Sequence, residues 1–347
     1  MNSFPLYLDT LLKNSEYQLS DGDLLLKSSS SVSNSAPEEI SGHVSINRLA
    51  LLKLFKEISR ELEKQNIQFL LIKGLAFELS FYPQDYQRRF SDLDLLIDKS
   101  DLPAVRSILE TKGFAPELKV SEKELAYEIK QQHALCFVGG QGEEVDIHWR
   151  LIQEQFSIED KRLELFNGKI GFEHQGIKFD APSLELHFLL VVIQAYKTLW
   201  QELKYLVDIE QALSSGKLDL AVVSELAKSS GMETILLFNQ AVSTRVWDRK
   251  VPSGEEFEGF PDWFEQPLEL VLERLEKGEE ISEFERLKIE LSFRSSLADK
   301  AKFIFKRTFI PHERDWELGL PSSLFFIYFI IKPFRVVFSG FKGALGL

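Results

Sequence analysis

The sequence predicts an α+β protein in which a small mixed sheet interleaved with helices is followed by an all-helical domain. Three observations carry this reading. Residues 69–98, FLLIKGLAFELSFYPQDYQRRFSDLDLLID, run as an apolar strand, a turn at Lys73-Gly74, a short helix and a second apolar strand holding Asp92 and Asp94. Residues 134–149 set two short apolar runs on either side of GGQGE, the pattern of an antiparallel hairpin. After Pro182 the apolar residues recur at helical rather than strand spacing.

In chain order, residues 1–26 are expected to form one or two short helices, with Leu8, Leu11 and Leu12 as a partial apolar face. The Ser-rich run KSSSSVSNSAPEE reads as a flexible linker. A helix is expected over about 46–64, where Leu51, Phe55, Ile58 and Leu62 repeat at spacings of four and three and Ser45 is placed to cap it. Beyond the Asp pair, Ser100-Asp101 and Pro103 open a helix that Gly113 ends. Residues 119–131 read as a charged helix, and 171–180 as a hairpin turning at Gln175-Gly176. Ser183 caps SLELHFLLVVIQAYKTLW, which is apolar on nearly every side and so predicts a buried helix.

Further helices are expected at 202–214, 218–229, 232–247, 267–277 and 282–308, with a loop at 251–266. The expected domains are thus a helical segment and linker over 1–44, an α+β domain over 45–181, a helical domain over 182–310 and an apolar, basic tail over 311–347.

The composition narrows the function classes. A chain of 347 residues with 44% hydrophobic content can bury one or two cores. Its formal charge of −13 argues against general nucleic-acid binding, which needs a basic surface. A single cysteine, Cys136, excludes an intrachain disulfide framework and fits a reducing cytoplasm. No secretory signal pattern opens the sequence, and no apolar run reaches the roughly 18 residues of a membrane span: the nearest, LFFIYFII at 324–331, gives way to Lys332-Pro333.

Strand residues two apart share a face, so Asp92 and Asp94 form a carboxylate pair while Leu93 and Leu95 point into the core. Two adjacent buried carboxylates are costly without a cation, and this pair lies in the otherwise core-like run LDLLI. On the later strand Asp146 and His148 share one face, which is expected to turn toward the pair. The plain alternative for the pair is a solvated strand edge. For Lys73-Gly74 it is a turn in which glycine relieves backbone strain, and for His148 a satisfied structural group. Tyr196 and Trp200, four apart on a helix, read as core.

Ile72-Lys73-Gly74 after a strand, Arg88 or Arg89 before Asp92-Leu93-Asp94-Leu95-Leu96, and Val145-Asp146-Ile147-His148-Trp149 together resemble the uncharacterised nucleotidyltransferases of the polymerase-beta-like superfamily. The resemblance implies two magnesium ions bridged by Asp92 and Asp94, with Asp146 on the ion that serves the acceptor and His148 as its orienting partner. It also implies contact with a nucleoside triphosphate, such as ATP, from Lys73, Gly74, one of Arg88 and Arg89, and Asp208, and transfer to an acceptor of small-molecule or macromolecular kind. Lys-Gly stands where the wider superfamily has Gly-Ser. The competing reading is therefore a degenerate module that binds nucleotide or a partner without turnover. The tail is expected to dock on the chain's own body, with contact to an anionic membrane surface as the second reading.

Overall fold

The computed structural model describes residues 17–20, 23–26, 37–83, 88, 90–153, 156, 158, 163–247, 260–294 and 296–345. The chain divides into two compact units, one of residues 42–187 with 296–347 and the other of residues 188–295 with 1–41.

Two short strands open the described chain, β1 (Tyr17–Ser20) and β2 (Asp23–Leu26), paired antiparallel. The helix expected over this stretch is therefore corrected to a hairpin; Leu8, Leu11, Leu12 and the Ser-rich run as far as Ala36 lie outside the described residues, while the last three residues of that run, read as linker, open the helix that follows. Helix α1 (Pro37–Lys64) starts well before Ser45, which lies inside the helix and does not cap it. Leu52, Phe55, Ile58 and Leu62 on α1 are buried in the core of the sheet-bearing unit.

The sheet begins with β3 (Phe69–Ile72), followed by α2 (Gly74–Phe81) and β4 (Asp92–Ile97). A turn of 3-10 helix leads into α3 (Leu102–Thr111), and β5 (Ala115–Pro116) follows. Helix α4 (Glu122–Gln131) opens on a capping box: Ser121 accepts from the Glu124 amide, and Glu124 accepts from the Ser121 amide. Strands β6 (Ala134–Val138) and β7 (Glu144–His148) then form the expected hairpin.

The strand order is β3-β4-β7-β6-β5, with β4 and β7 parallel and every other neighbour antiparallel. This is the mixed sheet the sequence predicts. Alternation does the rest: Leu93, Leu95, Val145 and Ile147 enter the core, so Asp94 and Asp146 are left on the opposite face. A second hairpin, β8 (Ile170–His174) and β9 (Ile177–Ala181), turns at Gln175-Gly176, where both residues take positive φ.

Helix α5 (Leu184–Lys197) runs from the first unit into the second. The second unit continues with α6 (Leu203–Ser214), α7 (Leu220–Ser230), α8 (Glu233–Trp247), α9 (Glu265–Lys277) and α10 (Glu283–Ser292). Its core is aromatic. Trp200 is fully buried, donates to Asn239 Oδ1 at 2.9 Å and lies 4.9 Å from the Phe238 ring, while Tyr196 packs on it at 6.0 Å. Tyr196 and Trp200 are core residues, as their spacing predicts.

The single helix expected over 282–308 is broken. Helix α10 ends at Ser292, and α11 (Leu297–Phe309) starts afresh with Ser296 accepting from the Asp299 amide. After the short α12 (Glu313–Trp316), helix α13 (Ile327–Leu345) carries Pro333 within it.

The tail docks on α4. Tyr328 donates its hydroxyl to Glu124 at 2.7 Å, Trp316 donates its indole N–H to Glu128, and the Tyr127 ring meets Trp316, Phe325 and Phe329 at 5.5–5.8 Å. Lys332 and Arg335 reach back to buried Asp315 at 2.9 and 3.2 Å.

Candidate active site

Because β4 and β7 run parallel in register, Asp94 lies directly beside Asp146 and Leu96 beside His148. Asp94, Asp146 and His148 each present one donor atom, and the three atoms lie within 4.8 Å of one another. Asp94 is the buried member of the Asp92–Asp94 pair, and Asp92 at the strand start is half-buried.

The sequence does not reveal that Lys73 enters this cluster from the end of β3. Its ammonium lies 2.6 Å from Asp94 Oδ1, and His148 Nε2 lies 2.9 Å from the same oxygen. Burial works against ionisation of Asp94, but the Lys73 charge and then the His148 hydrogen bond outweigh it. The carboxyl is held well below the usual range. Burial would likewise discharge Lys73, yet Asp94 first, and then Asp146 and Asp92, raise its pKa instead. Asp92 goes the other way: burial, then the Asp94 charge, push it up to about 6 against the pull of Lys73. His148 is lowered, by burial and then by the Lys73 charge, so the neutral ring donates its Nε2 hydrogen to Asp94.

Cys136 is another residue the sequence reading passed over, although it is the cross-strand partner of Asp146 on β6. Burial and then the Asp146 charge raise its thiol far above the ordinary value, so it stays an S–H donor to Asp146.

Lys73 reaches the carboxylates through a strained backbone, at φ 53° and ψ −148°, as the residue before α2. Gly74 follows at φ +32°, where a Cβ would sit 3.4 Å from the Phe90 ring. What holds Lys73 is His187, on the first turn of the apolar helix α5 and 114 residues away in sequence. The Lys73 amide donates to His187 Nε2 at 3.1 Å, and the imidazole, fully buried, packs edge-on against Phe77 at 5.1 Å. Burial and then the nearby Arg88 charge lower its pKa to about 3, so it is a neutral acceptor at physiological pH. His187→Leu leaves a buried amide without an acceptor and is expected to cost about 1–3 kcal/mol. His187→Gln, which restores an oxygen acceptor, should recover part of that loss; the midpoints of denaturant unfolding measure both.

Arg48 completes the support of α2. It grips the buried Glu78 with two bonds of 2.6 and 2.7 Å, and Glu78 also accepts the Arg88 amide at 2.9 Å. The lone acid in the helix GLAFELSF was its only sequence signal. The Arg88 guanidinium lies over the Phe77 ring, 5.9 Å from its centre. Arg89 lies outside the described residues. Asp208 is buried on α6 in the helical unit.

The donor chemistry fits a divalent cation: Asp94 and Asp146 supply hard carboxylate oxygens, with a third carboxylate on Asp92 close enough to feel their charge. An apolar cleft lined by Leu52, Phe55, Gly74, Leu75 and Phe90 ends at Asp92 and Asp94.

A mixed sheet that presents aligned carboxylates from two parallel neighbours, with a Lys-Gly turn beside them, is the architecture expected of a polymerase-beta-like nucleotidyltransferase. The family of uncharacterised nucleotidyltransferases matches residues 28–247, and the chain belongs to that family. Comparison with curated proteins gives no match.

Among solved structures, the chain is similar to the antibiotic-resistance factor ANT(2'')-Ia at 15% identity, over 52% of this chain and 90% of that one, with a TM-score of 0.37. It is similar to a lincomycin-bound lincosamide antibiotic adenylyltransferase at 18% identity, over 48% and 95%, with a TM-score of 0.32. It is also similar to an antigenic nucleotidyltransferase-like protein from Paracoccidioides brasiliensis at 16% identity, over 60% of this chain and 96% of that one, with a TM-score of 0.36.

Proposed function

We propose that the protein transfers a nucleoside monophosphate from a nucleoside triphosphate, ATP among them, to an acceptor hydroxyl, using Asp92, Asp94 and Asp146 with magnesium in the cytoplasm. The observation that supports this best is the in-register placement of Asp94 beside Asp146, on the strands where the family resemblance expects its metal ligands. Nucleotidyl transfer is an in-line displacement whose main need is to offset charge on the phosphates and on the attacking oxygen. Magnesium ions, two in the arrangement the resemblance implies, supply that charge when bound.

The chain's own residues do the rest. Asp146, half-buried and held by the Cys136 thiol, accepts the proton of the acceptor hydroxyl. Lys73 carries a fixed positive charge into the carboxylates and meets the triphosphate together with Gly74 and Arg88. His148 orients Asp94 through its hydrogen bond.

A second reading has its own support. Lys73 pairs directly with Asp94, which competes with a bound cation for the same oxygen and favours a module that binds nucleotide without turnover. Pyrophosphate release from a panel of nucleoside triphosphates, with cell extract as the source of acceptor, separates the two. Release that depends on magnesium supports the transferase; triphosphate binding with no release from any member of the panel rules it out. For Asp146→Asn, turnover should fall by about 10²-fold or more while triphosphate binding persists. Equilibrium binding with magnesium checks this, and a loss of binding equal to that of Asp94→Asn would refute the division of roles.

A further inference from the structure

Nine of the fourteen large apolar side chains that stand in solvent among the described residues fall between 297 and 334, so the exposed apolar surface is concentrated on one region. On α13 and the residue before it, Tyr328 and Lys332 turn inward, whereas Phe326, Ile330 and Phe334 repeat every four residues and are 59, 54 and 63% exposed. That spacing places them on one helical face, opposite the face docked on α4. On α11, Phe303 packs inward and leaves Ile304, Phe305 and Phe309 in solvent, with the last two rings stacked 5.0 Å apart. Helices α11 and α13 pack against each other within one unit, which puts the two rows on neighbouring elements.

The charge of this region is the reverse of the whole. Residues 296–347 hold eight Lys and Arg against four Asp and Glu, a net of +4 in a chain of −13. Lys302 stands exposed on α11, and Arg307 and Arg335 both lie close enough to Lys332 for their charges to act on it.

We propose that this face of α11 and α13 seats on an anionic lipid bilayer, with the phenylalanines and Ile330 entering the boundary between headgroups and acyl chains and Lys302, exposed beside them on α11, meeting lipid phosphates within the positive field of the region. Charge complementarity selects this occupant. A second copy docked through the same face would bring two basic rims together. A neutral apolar partner would make no use of the net positive charge of this region, whereas an anionic surface attracts it. The seating is peripheral: among the described residues no helix is long and apolar enough to cross a membrane.

Flotation of the full-length protein with vesicles of phosphatidylcholine, with and without phosphatidylglycerol, tests the proposal. The expected result is binding to the anionic vesicles at low salt, weakened by roughly tenfold or more in high salt. The triple variant Phe326→Gln, Ile330→Gln, Phe334→Gln should lose binding by a similar factor while melting like the parent, because all three side chains already stand in solvent. Phe305→Gln with Phe309→Gln provides the same test on α11 should the triple variant misfold. Failure to float with anionic vesicles at low salt, equal binding to neutral ones, or undiminished binding by both variants would overturn it. So would a dimer that the triple variant cannot form, or binding to polyglutamate, in a protein that ignores vesicles.

Discussion

Asp94→Asn is expected to lower nucleotidyl transfer by about 10³-fold or more and to destabilise the protein, whereas Asp92→Asn should lose activity and gain stability when metal is chelated. Loss of activity follows in both from removal of a metal-binding charge. The stabilities part because the two carboxylates sit differently. Asp94 is buried and accepts from both Lys73 and His148, so its removal strips a buried ammonium of its nearest counter-charge, a change that costs about 3–5 kcal/mol.

Asp92 is ionised at a cost. Its pKa is 3.8 in the unfolded chain and about 6 in the folded one, so its contribution to stability is full below about pH 4 and is lost as pH rises through about 6. Replacing it with Asn should return up to about 3 kcal/mol at pH 8 in chelator and flatten the fall between pH 4 and 6. Urea unfolding across that pH range reads both variants. Equal destabilisation by the two would refute the arrangement, and full activity in both would remove the site.

A chain ending at Gly319 is expected to lose about 3–5 kcal/mol of stability and to aggregate. The truncation uncovers Tyr127, takes Tyr328 from Glu124, and leaves Asp315 without Lys332 and Arg335. Thermal melting and light scattering measure the change. Unchanged stability would show that the docked tail is dispensable, and vesicle binding by the truncated chain would separate the lipid surface from α13.

Much of the sheet was legible because alternation is a local signal. LDLLI and EVDIH declare which residues turn inward, and the polar remainder, Asp94, Asp146 and His148, gathers on one face once β4 and β7 align. The sequence could not reveal that the Lys73 side chain would leave the turn and enter the carboxylates. That depends on a left-handed backbone held by His187, a contact between distant segments. The Arg48–Glu78 pair was hidden for the same reason.

Misplaced elements have physical causes too. Tyr17–Leu26 can alternate as a hairpin as readily as it can repeat as a helix. The break before Ser296 rests on a side-chain cap inside a run of good helix formers. Continuation through Pro333 is a tertiary outcome: Tyr328 and Lys332 anchor the turn before it, and their partners lie on other helices.

The parallel pairing of β4 with β7 has a consequence for how the molecule acquires its chemistry during folding. The hairpin of β6 and β7 closes through five intervening residues, whereas Asp94 meets Asp146 only after the chain between them, including α3 and α4, has formed a crossover. Closing so long a loop is entropically slow compared with closing a hairpin. A chain that has collapsed but not yet crossed over therefore holds Asp94 and Asp146 apart, and the cluster of Asp94, Asp146 and His148 arises together with the completed topology.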